Sequence, residues 1–512
     1  MKWFTSKVVL VVLLIVILET IFVGRSFTAL GIGMLDAKLF AYMGSMVNEG
    51  MHLYVDIWDN KPPGIFWVSA LAASLPLDQF HVLALFESTI VFATIYSLFL
   101  ILKTLHIERL VILFTIITSA ILLNIRFYNE GGNFTETYLL LPMVISVLLF
   151  IIARQKNNNG LYLLAGLMSG IATLFKLPGL SPFLAETAFL VLMMWKRQLT
   201  IGKLLGIFSL LTLGLSIPWV LVVAYFGTVG GLQELLNISF IYPFAYGVES
   251  QKGVFAIIAS LIEVLQPVYP LIPLVLITVF QAMKGIVIRE SINKPQDEGC
   301  FSSNFHVLIC LWLAADLSGA LAGGRFYPHY FLAMMPSLVV AAGIGLDFLF
   351  SQPMLFKSVK RQGKIMVVIL ILFPLVYHHL MDVIYMARKF RSHDSQSTSQ
   401  LMTERINKIK NADDLLFVWD YQPDIYYNTH LKPASRYLTS VNLWDSKQSL
   451  NLIGGQLMRD LKVYQPRFVV TRKSIFGGGA ALEPVSQLFA EWLLLNYELD
   501  FEVNEVQLYH HK

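Results

Sequence analysis

About eleven apolar stretches, each long enough or nearly long enough to cross a bilayer, constrain this 512-residue chain more than any other feature. They fall at residues 8–29, 81–103, 110–124, 138–153, 161–175, 180–195, 204–226, 265–283, 305–321, 330–350 and 365–385, and polar or Gly/Pro-containing connections bound each one. A straight span takes about 20 residues, so the shorter stretches leave the count soft. With 56% hydrophobic residues, 14% charged residues and a mean hydropathy of +0.63, the chain reads as an α-helical polytopic membrane protein. The first stretch has the basic flank of a signal peptide, but it is long and no convincing small-residue cleavage site follows, so it reads as an uncleaved helix.

Charge excludes some functions. The net +4 comes from 38 basic against 34 acidic residues, and no basic run is interleaved with aromatics, so nucleic acid is not an expected partner. The two cysteines, Cys300 and Cys310, supply neither a disulfide framework nor a metal cluster.

Basic residues also orient the spans. Lys2 and Lys7, Lys103 with Arg109, Arg154 with Lys156, Lys196 with Arg197 and Lys203, Lys284 with Arg289, and the cluster at 357–364 all fall on one side when alternate crossings are counted from a cytoplasmic N-terminus. The opposite face then receives residues 36–61, IRFYNEGGNFTET (125–137), KLPG (176–179), the loop 227–253, GGRFYPHY (323–330) and everything after residue 385. A reaction on that face has no ATP or sugar nucleotide to draw on and needs an exported or lipid-linked donor. Residues 1–386 are thus expected to form a transmembrane domain whose first outer loop is 31–66. Residues 387–512 lose the long apolar runs and read as a small soluble extracytoplasmic α/β domain, with strands in LLFVWD, RFVVT and EVQLYH, a linker or helix start at 392–400 and a glycine turn at 477–479.

The polar segment at 33–67 carries Asp36, Lys38, Glu49, His52, Asp56, Asp59 and Lys61. Carboxylates and lysines beside a bilayer are costly unless they face water, a partner or a substrate. Asp36 stands a few residues past the first span, where a lipid headgroup would lie. It can act as a general base, taking the proton of an acceptor hydroxyl that attacks an anomeric carbon; a phosphate leaving group, stable as an anion, needs no acid partner. The plain alternative is a helix cap or a solvated loop aspartate. In YVDIWDNKPPG, Pro62 and Pro63 stiffen the turn after Lys61, so its ammonium is presented in a fixed place suited to a phosphate, with Asp56 and Asp59 positioning the loop or the acceptor. The alternative is a lysine snorkelling to the interface.

These residues bring a family into view. The segment resembles the C-type (GT-C) membrane glycosyltransferases, especially the protein O-mannosyltransferase and lipid A aminoarabinose transferase superfamily. An acidic residue soon after the first span and an acid-to-Lys-Pro-Pro segment before the second build the site in those enzymes; Asp36, and Asp56 with Lys61, Pro62 and Pro63, stand at corresponding places. The family's first motif is often Asp-Glu, whereas Ala37 and Lys38 follow Asp36 here. GGRFYPHYFLAMMP (323–336) resembles the R-x-x-x-H-Y-x-x-x-x-x-P signature of bacterial members. The resemblance implies that Arg325, Lys61 and Lys176 bind the donor phosphate and that Tyr327, His329 and Tyr330 line a sugar pocket. It also gives Glu130 the acceptor or a metal to hold. Each has a bland counterpart: an interfacial aromatic and arginine belt, a snorkelling lysine, a solvated glutamate.

The expected function is transfer of a hexose or pentose, with inversion, from a polyprenyl-phosphate-sugar donor to a hydroxyl of a lipid, glycan or protein acceptor, at the outer face of a membrane, most simply a bacterial inner membrane. No cofactor is fixed by the residues, and a divalent metal stays an open alternative; the adjacent His378 and His379 point about 100° apart on a helix and have no third ligand near in sequence. The competing functions are a lipid-linked glycan flippase or transporter, kept open by Glu19, Glu87, Glu263 and Asp316 within apolar segments, and a non-catalytic glycan-assembly scaffold. The orientation is testable by single-cysteine labelling with an impermeant reagent. A cysteine near Asp59 should label in intact cells and one near Lys360 should be protected; the reverse pattern would invert the topology.

Overall fold

The computed structural model describes residues 6–33, 35–241, 253–287, 298–352, 361–391, 397–439, 447–476 and 484–512. Arg289, residues 357–360 of the basic cluster, residues 392–396 of the expected linker and the turn at 477–479 lie outside the described residues. Eight of the described helices are long and apolar enough to cross a membrane: Leu10–Ala29, Gln79–Thr104, Thr135–Lys156, Leu177–Trp195, Ile201–Val229, Phe255–Ile286, Pro328–Ser351 and Arg361–Phe390. The protein is an integral membrane protein. The stretches at 110–124 and 161–175 are helices Arg109–Leu122 and Asn159–Thr173, of 14 and 15 residues. The first buries Val111, Phe114, Ile116 and Ile121, so it is apolar because it packs inside the bundle, whatever its length would allow in lipid.

The chain forms two compact units. One comprises Met1–Ala29, Ala84–Val222 and Lys252–Arg388; the other comprises Leu30–Leu83, Val223–Gln251 and Lys389–Lys512. In the first, the Asn159–Thr173 and Ile201–Val229 helices meet through glycines. A Cβ at Gly166 would stand 2.0 Å from the Leu211 carbonyl oxygen, one at Gly170 2.5 Å from that of Leu215, and one at Gly214 2.1 Å from that of Leu163. Lipid gives helices no hydrophobic reason to associate, so backbone contact across small residues supplies the packing.

In the second unit, residues 33–67 are mostly not an open loop. Leu35–Asn48 is a helix that buries Phe40, Ala41, Tyr42, Met43 and Met46, and Gly64–Ala73 is a second helix begun by Pro62 and Pro63. The C-terminal part of the unit holds a five-stranded sheet of order β2-β1-β3-β5-β4, with β1 Leu415–Val418, β2 Lys432–Pro433, β3 Phe468–Arg472, β4 Tyr497–Val503 and β5 Val506–His511. β2, β1 and β3 run parallel; β5 pairs antiparallel with β3 and β4. The three strands expected from the sequence are β1, β3 and β5. β2 was not foreseen because it is only two residues, and β4 because its polar YELDFEV pattern is an edge strand half in water. Ser397 and Gln400 form a reciprocal capping box that opens the Thr398–Ile409 helix.

Replacing Gly166 by Ala should push the two helices apart and lower stability by about 1–3 kcal/mol. Gly202→Ala, where a Cβ meets nothing within 4 Å, should be neutral or slightly stabilising. Thermal denaturation in detergent compares the two, and equal melting of both variants would contradict the packing.

Candidate active site

In the second unit, Asp36 lies in the first turn of the Leu35–Asn48 helix, where unpaired backbone N–H groups favour a negative charge. The Tyr421 hydroxyl donates to its Oδ1. Lys61 is fixed on three sides. Its backbone N–H donates to Asp59 Oδ1 at 3.0 Å, its carbonyl accepts from the Tyr54 hydroxyl at 2.8 Å, and its Nζ donates to Asn60 Oδ1 at 2.5 Å, 3.8 Å from Asp59. Burial, reinforced by the Asp59 charge, raises the Tyr54 phenol well above its ordinary range and keeps it a donor. The Lys61 ammonium is 5.8 Å from the ring centroid of Phe40, which stands four residues after Asp36 and so on the same helix face. Asp56 plays a different part, being exposed, with its Oδ2 accepting from the His52 N–H at 2.7 Å and so closing its own turn.

This loop is tied to the sheet domain. Trp58 N–H donates to the Arg436 carbonyl at 2.9 Å. The Arg436 guanidinium donates to the Tyr54 carbonyl at 3.1 Å, Glu234 Oε1 at 3.0 Å and Gln456 Oε1 at 3.1 Å.

The first unit gathers the other candidates. Glu130, Gly131, Gly132 and Asn133 have φ values of 43°, 97°, 85° and 55°, four successive residues in the left-handed region that L side chains seldom enter. This turn places Glu130 Oε2 2.6 Å from His329 Nδ1. His329 stacks on Phe134 at 4.4 Å and lies 5.7 Å from the parallel ring of Tyr327. The Lys176 ammonium sits 3.5 Å over the Tyr330 ring and 2.5 Å from Glu136 Oε1, while Thr135 donates to Glu136 Oε2. Arg325 is half-buried just after Gly324, whose φ is 62°.

Behind the strained turn is a buried ion pair that sequence reading did not single out as a pair. Arg25 Nη1 lies 3.4 Å from Glu87 Oε1, and both side chains are essentially inaccessible. Arg25 also donates to Asn129 Oδ1 and to the Leu123 carbonyl, both at 2.7 Å. Glu87 accepts from Asn133 N–H and Thr28 Oγ1, both at 2.6 Å. Of the other acids in apolar segments, Glu19 lies 2.9 Å from His379 Nε2, and Asp316 accepts from Ser181 and Ser337. Among the described residues, no group of three or more His, Cys, Asp or Glu side chains is placed to hold a metal ion.

Residues 60–223 match the family model of dolichyl-phosphate-mannose-protein mannosyltransferases. No curated protein matches the sequence. Among solved structures, ArnT from Cupriavidus metallidurans bound to undecaprenyl phosphate superposes with a TM-score of 0.61 at 14% identity, over 99% of this chain and 98% of that one. The chain has the C-type membrane glycosyltransferase fold. An Archaeoglobus fulgidus oligosaccharyltransferase in complex with Zn and sulfate also matches this GT-C fold, with a TM-score of 0.50 at 11% identity over 97% of this chain and 73% of that one.

Within the GT-C fold of this chain, Asp59 with Lys61, Glu130 with His329, and Lys176 with Tyr330 are brought together as pairs. Tyr421 had no signal in the sequence beyond an aromatic residue after a strand. Removing Arg25 strands Glu87 without a counter-charge, so Arg25→Ala should cost about 3–5 kcal/mol of stability, and adding Glu87→Ala should recover part of it. Wild-type melting of Arg25→Ala in detergent would contradict a structural role for the pair.

Proposed function

We propose that the chain is an inverting glycosyltransferase that moves one sugar, a hexose or a pentose, from a polyprenyl phosphate carrier to a hydroxyl of a lipid, glycan or protein acceptor. The reaction is placed on the extracytoplasmic face of a bacterial inner membrane, with residues 387–512 on that same side. The observation that carries the reading is a half-buried carboxylate, Asp36, in the first turn of the Leu35–Asn48 helix, with the Lys61 ammonium 5.8 Å from the ring centroid of Phe40 one turn further along that helix. The family match over residues 60–223 and the fold shared with an enzyme solved with undecaprenyl phosphate support the same chemistry.

In this reading the acceptor oxygen attacks the anomeric carbon from the face opposite the phosphate, the bond from that carbon to the phosphate oxygen breaks, and Asp36 takes the hydroxyl proton. The carrier leaves as a phosphate monoester that needs no proton. Lys61, Lys176 and Arg325 are assigned to the phosphate, whose charge grows as it departs. Arg325 presents a planar fork of donors suited to phosphate oxygens, and the two ammonium groups act as point charges. Asp56 and Asp59 hold the Lys61 loop in shape, and Tyr327, His329 and Tyr330, with Glu130 orienting His329, are assigned to the sugar and acceptor hydroxyls. Every one of these groups belongs to the chain itself, and no step calls on a metal.

Purified protein offered a panel of undecaprenyl-phosphate-linked hexoses and pentoses should release carrier phosphate with at least one of them. Asp36→Asn keeps the shape of the side chain but cannot accept a proton at neutral pH. It should leave folding and donor binding near normal while turnover at saturating donor falls about 100-fold to 10,000-fold. Wild-type turnover in a folded Asp36→Asn protein would remove Asp36 as the base.

A further inference from the structure

The Tyr421 hydroxyl reaches Asp36 from a loop far along the chain, and both partners are rigidly mounted within the second unit. Tyr421 stands three residues past the end of β1. Trp419 N–H continues the β1–β3 pairing by donating to the Val470 carbonyl at 2.8 Å, and its ring stacks on Phe489 at 3.8 Å. Gln422 N–H then turns back to the Asp420 carbonyl at 2.9 Å, and Pro423 starts a short helix, Pro423–Thr429. On the other side of the bond, Tyr42 fastens the Asp36 helix to the same region: its hydroxyl donates to the Leu431 carbonyl at 2.7 Å and its ring lies 5.2 Å from that of Tyr426. The two ends of the Asp36–Tyr421 bond therefore share one frame, while both side chains remain half-buried and so open to a substrate.

We infer that Tyr421 is a positioning residue for Asp36, so that the C-terminal sheet domain supplies part of the active site. This rests on Asp36 being the general base. An ionised carboxylate accepts at two oxygens. Tyr421 occupies Oδ1 and fixes the carboxylate plane, which leaves Oδ2 to receive the acceptor proton. The phenol is a donor throughout: it neither takes the proton nor changes charge. Such a bond to a charged group also removes rotamers in which the carboxylate would face away from the acceptor, and placement of a base counts directly in the rate.

The test compares full-length wild type, Tyr421→Phe, Asp36→Asn and the double variant. With the undecaprenyl-phosphate-linked sugar that turns over in the panel above, Tyr421→Phe should lower kcat about 10-fold to 100-fold, since a hydrogen bond to a charged group is lost. Its donor KM should stay within about two-fold, and in the Asp36→Asn background the same substitution should change the rate by less than about two-fold. Thermal melts of wild type, Tyr421→Phe, Asp36→Ala and their double variant supply a reading without turnover: Tyr421→Phe and Asp36→Ala each remove one end of the same bond, so their losses should be non-additive. Wild-type kcat in Tyr421→Phe, equal rate losses in both backgrounds, or additive melting losses would each overturn the inference while leaving the base intact. Wild-type turnover by Asp36→Asn would instead overturn the base assignment, and this inference with it.

Discussion

A charge cannot be left unmatched inside an apolar helical bundle, and the pairing of Arg25 with Glu87 is where this chain meets that constraint most completely. Neither group reaches solvent; Arg25 places its remaining hydrogen bonds on Leu123, Asn124 and Asn129, and Glu87 accepts from Asn133 N–H and Thr28 Oγ1. The desolvation of the two ions is offset only because those partners are in place. The backbone they hold is the strained run at residues 130–133, which would relax if it were free to do so. Glu130, which opens this run, lies 2.6 Å from His329 Nδ1. A Cβ at Gly132 would come 1.8 Å from Thr28 Oγ1 and 2.8 Å from Glu87 Oε2, so the glycine is needed for the carboxylate to approach the backbone at all.

Much of the architecture was legible in the amino-acid sequence, because a bilayer forces long apolar runs and those runs are visible one residue at a time. The strands β1, β3 and β5 were legible for a similar reason, each being a short β-rich segment between polar turns. Helix contacts were harder to foresee. The Gly166 and Gly170 spacing is a known contact pattern, but which helix it meets depends on Leu211, Gly214 and Leu215 some forty residues away. The segment around Asp36 was read as loop because its charges stand out, whereas its buried face, Phe40, Tyr42, Met43 and Met46, makes a helix of it.

The residues of the candidate site stand out in the sequence as types and not as partnerships. Lys61 followed by two prolines signals a fixed cation, and the structure supplies the means: Asp59, Asn60 and Tyr54 each hold a different atom of it. Asp56 looks equivalent to Asp59 in the sequence, yet it caps a turn in water. Lys176 likewise stands out in the sequence as a cation between two apolar stretches, but its nearest partners, Glu136 and Tyr330, lie 40 and 154 positions away and no local pattern announces them. Tyr421 is the extreme case, separated from Asp36 by 385 positions.

That separation bears on how the protein is made. At about 5 to 20 residues per second, a ribosome needs roughly 20 to 80 s to travel from Asp36 to Tyr421. Throughout that interval the Leu35–Asn48 helix has emerged without the Tyr426 ring and the Leu431 carbonyl that later cover and bind Tyr42. The unit that contains Asp36 is assembled from the chain's early, middle and late segments, so it closes last and does so against a large loop entropy. The nascent protein therefore inserts its first helices with Asp36 still without Tyr421, and membrane integration precedes the assembly of the candidate site.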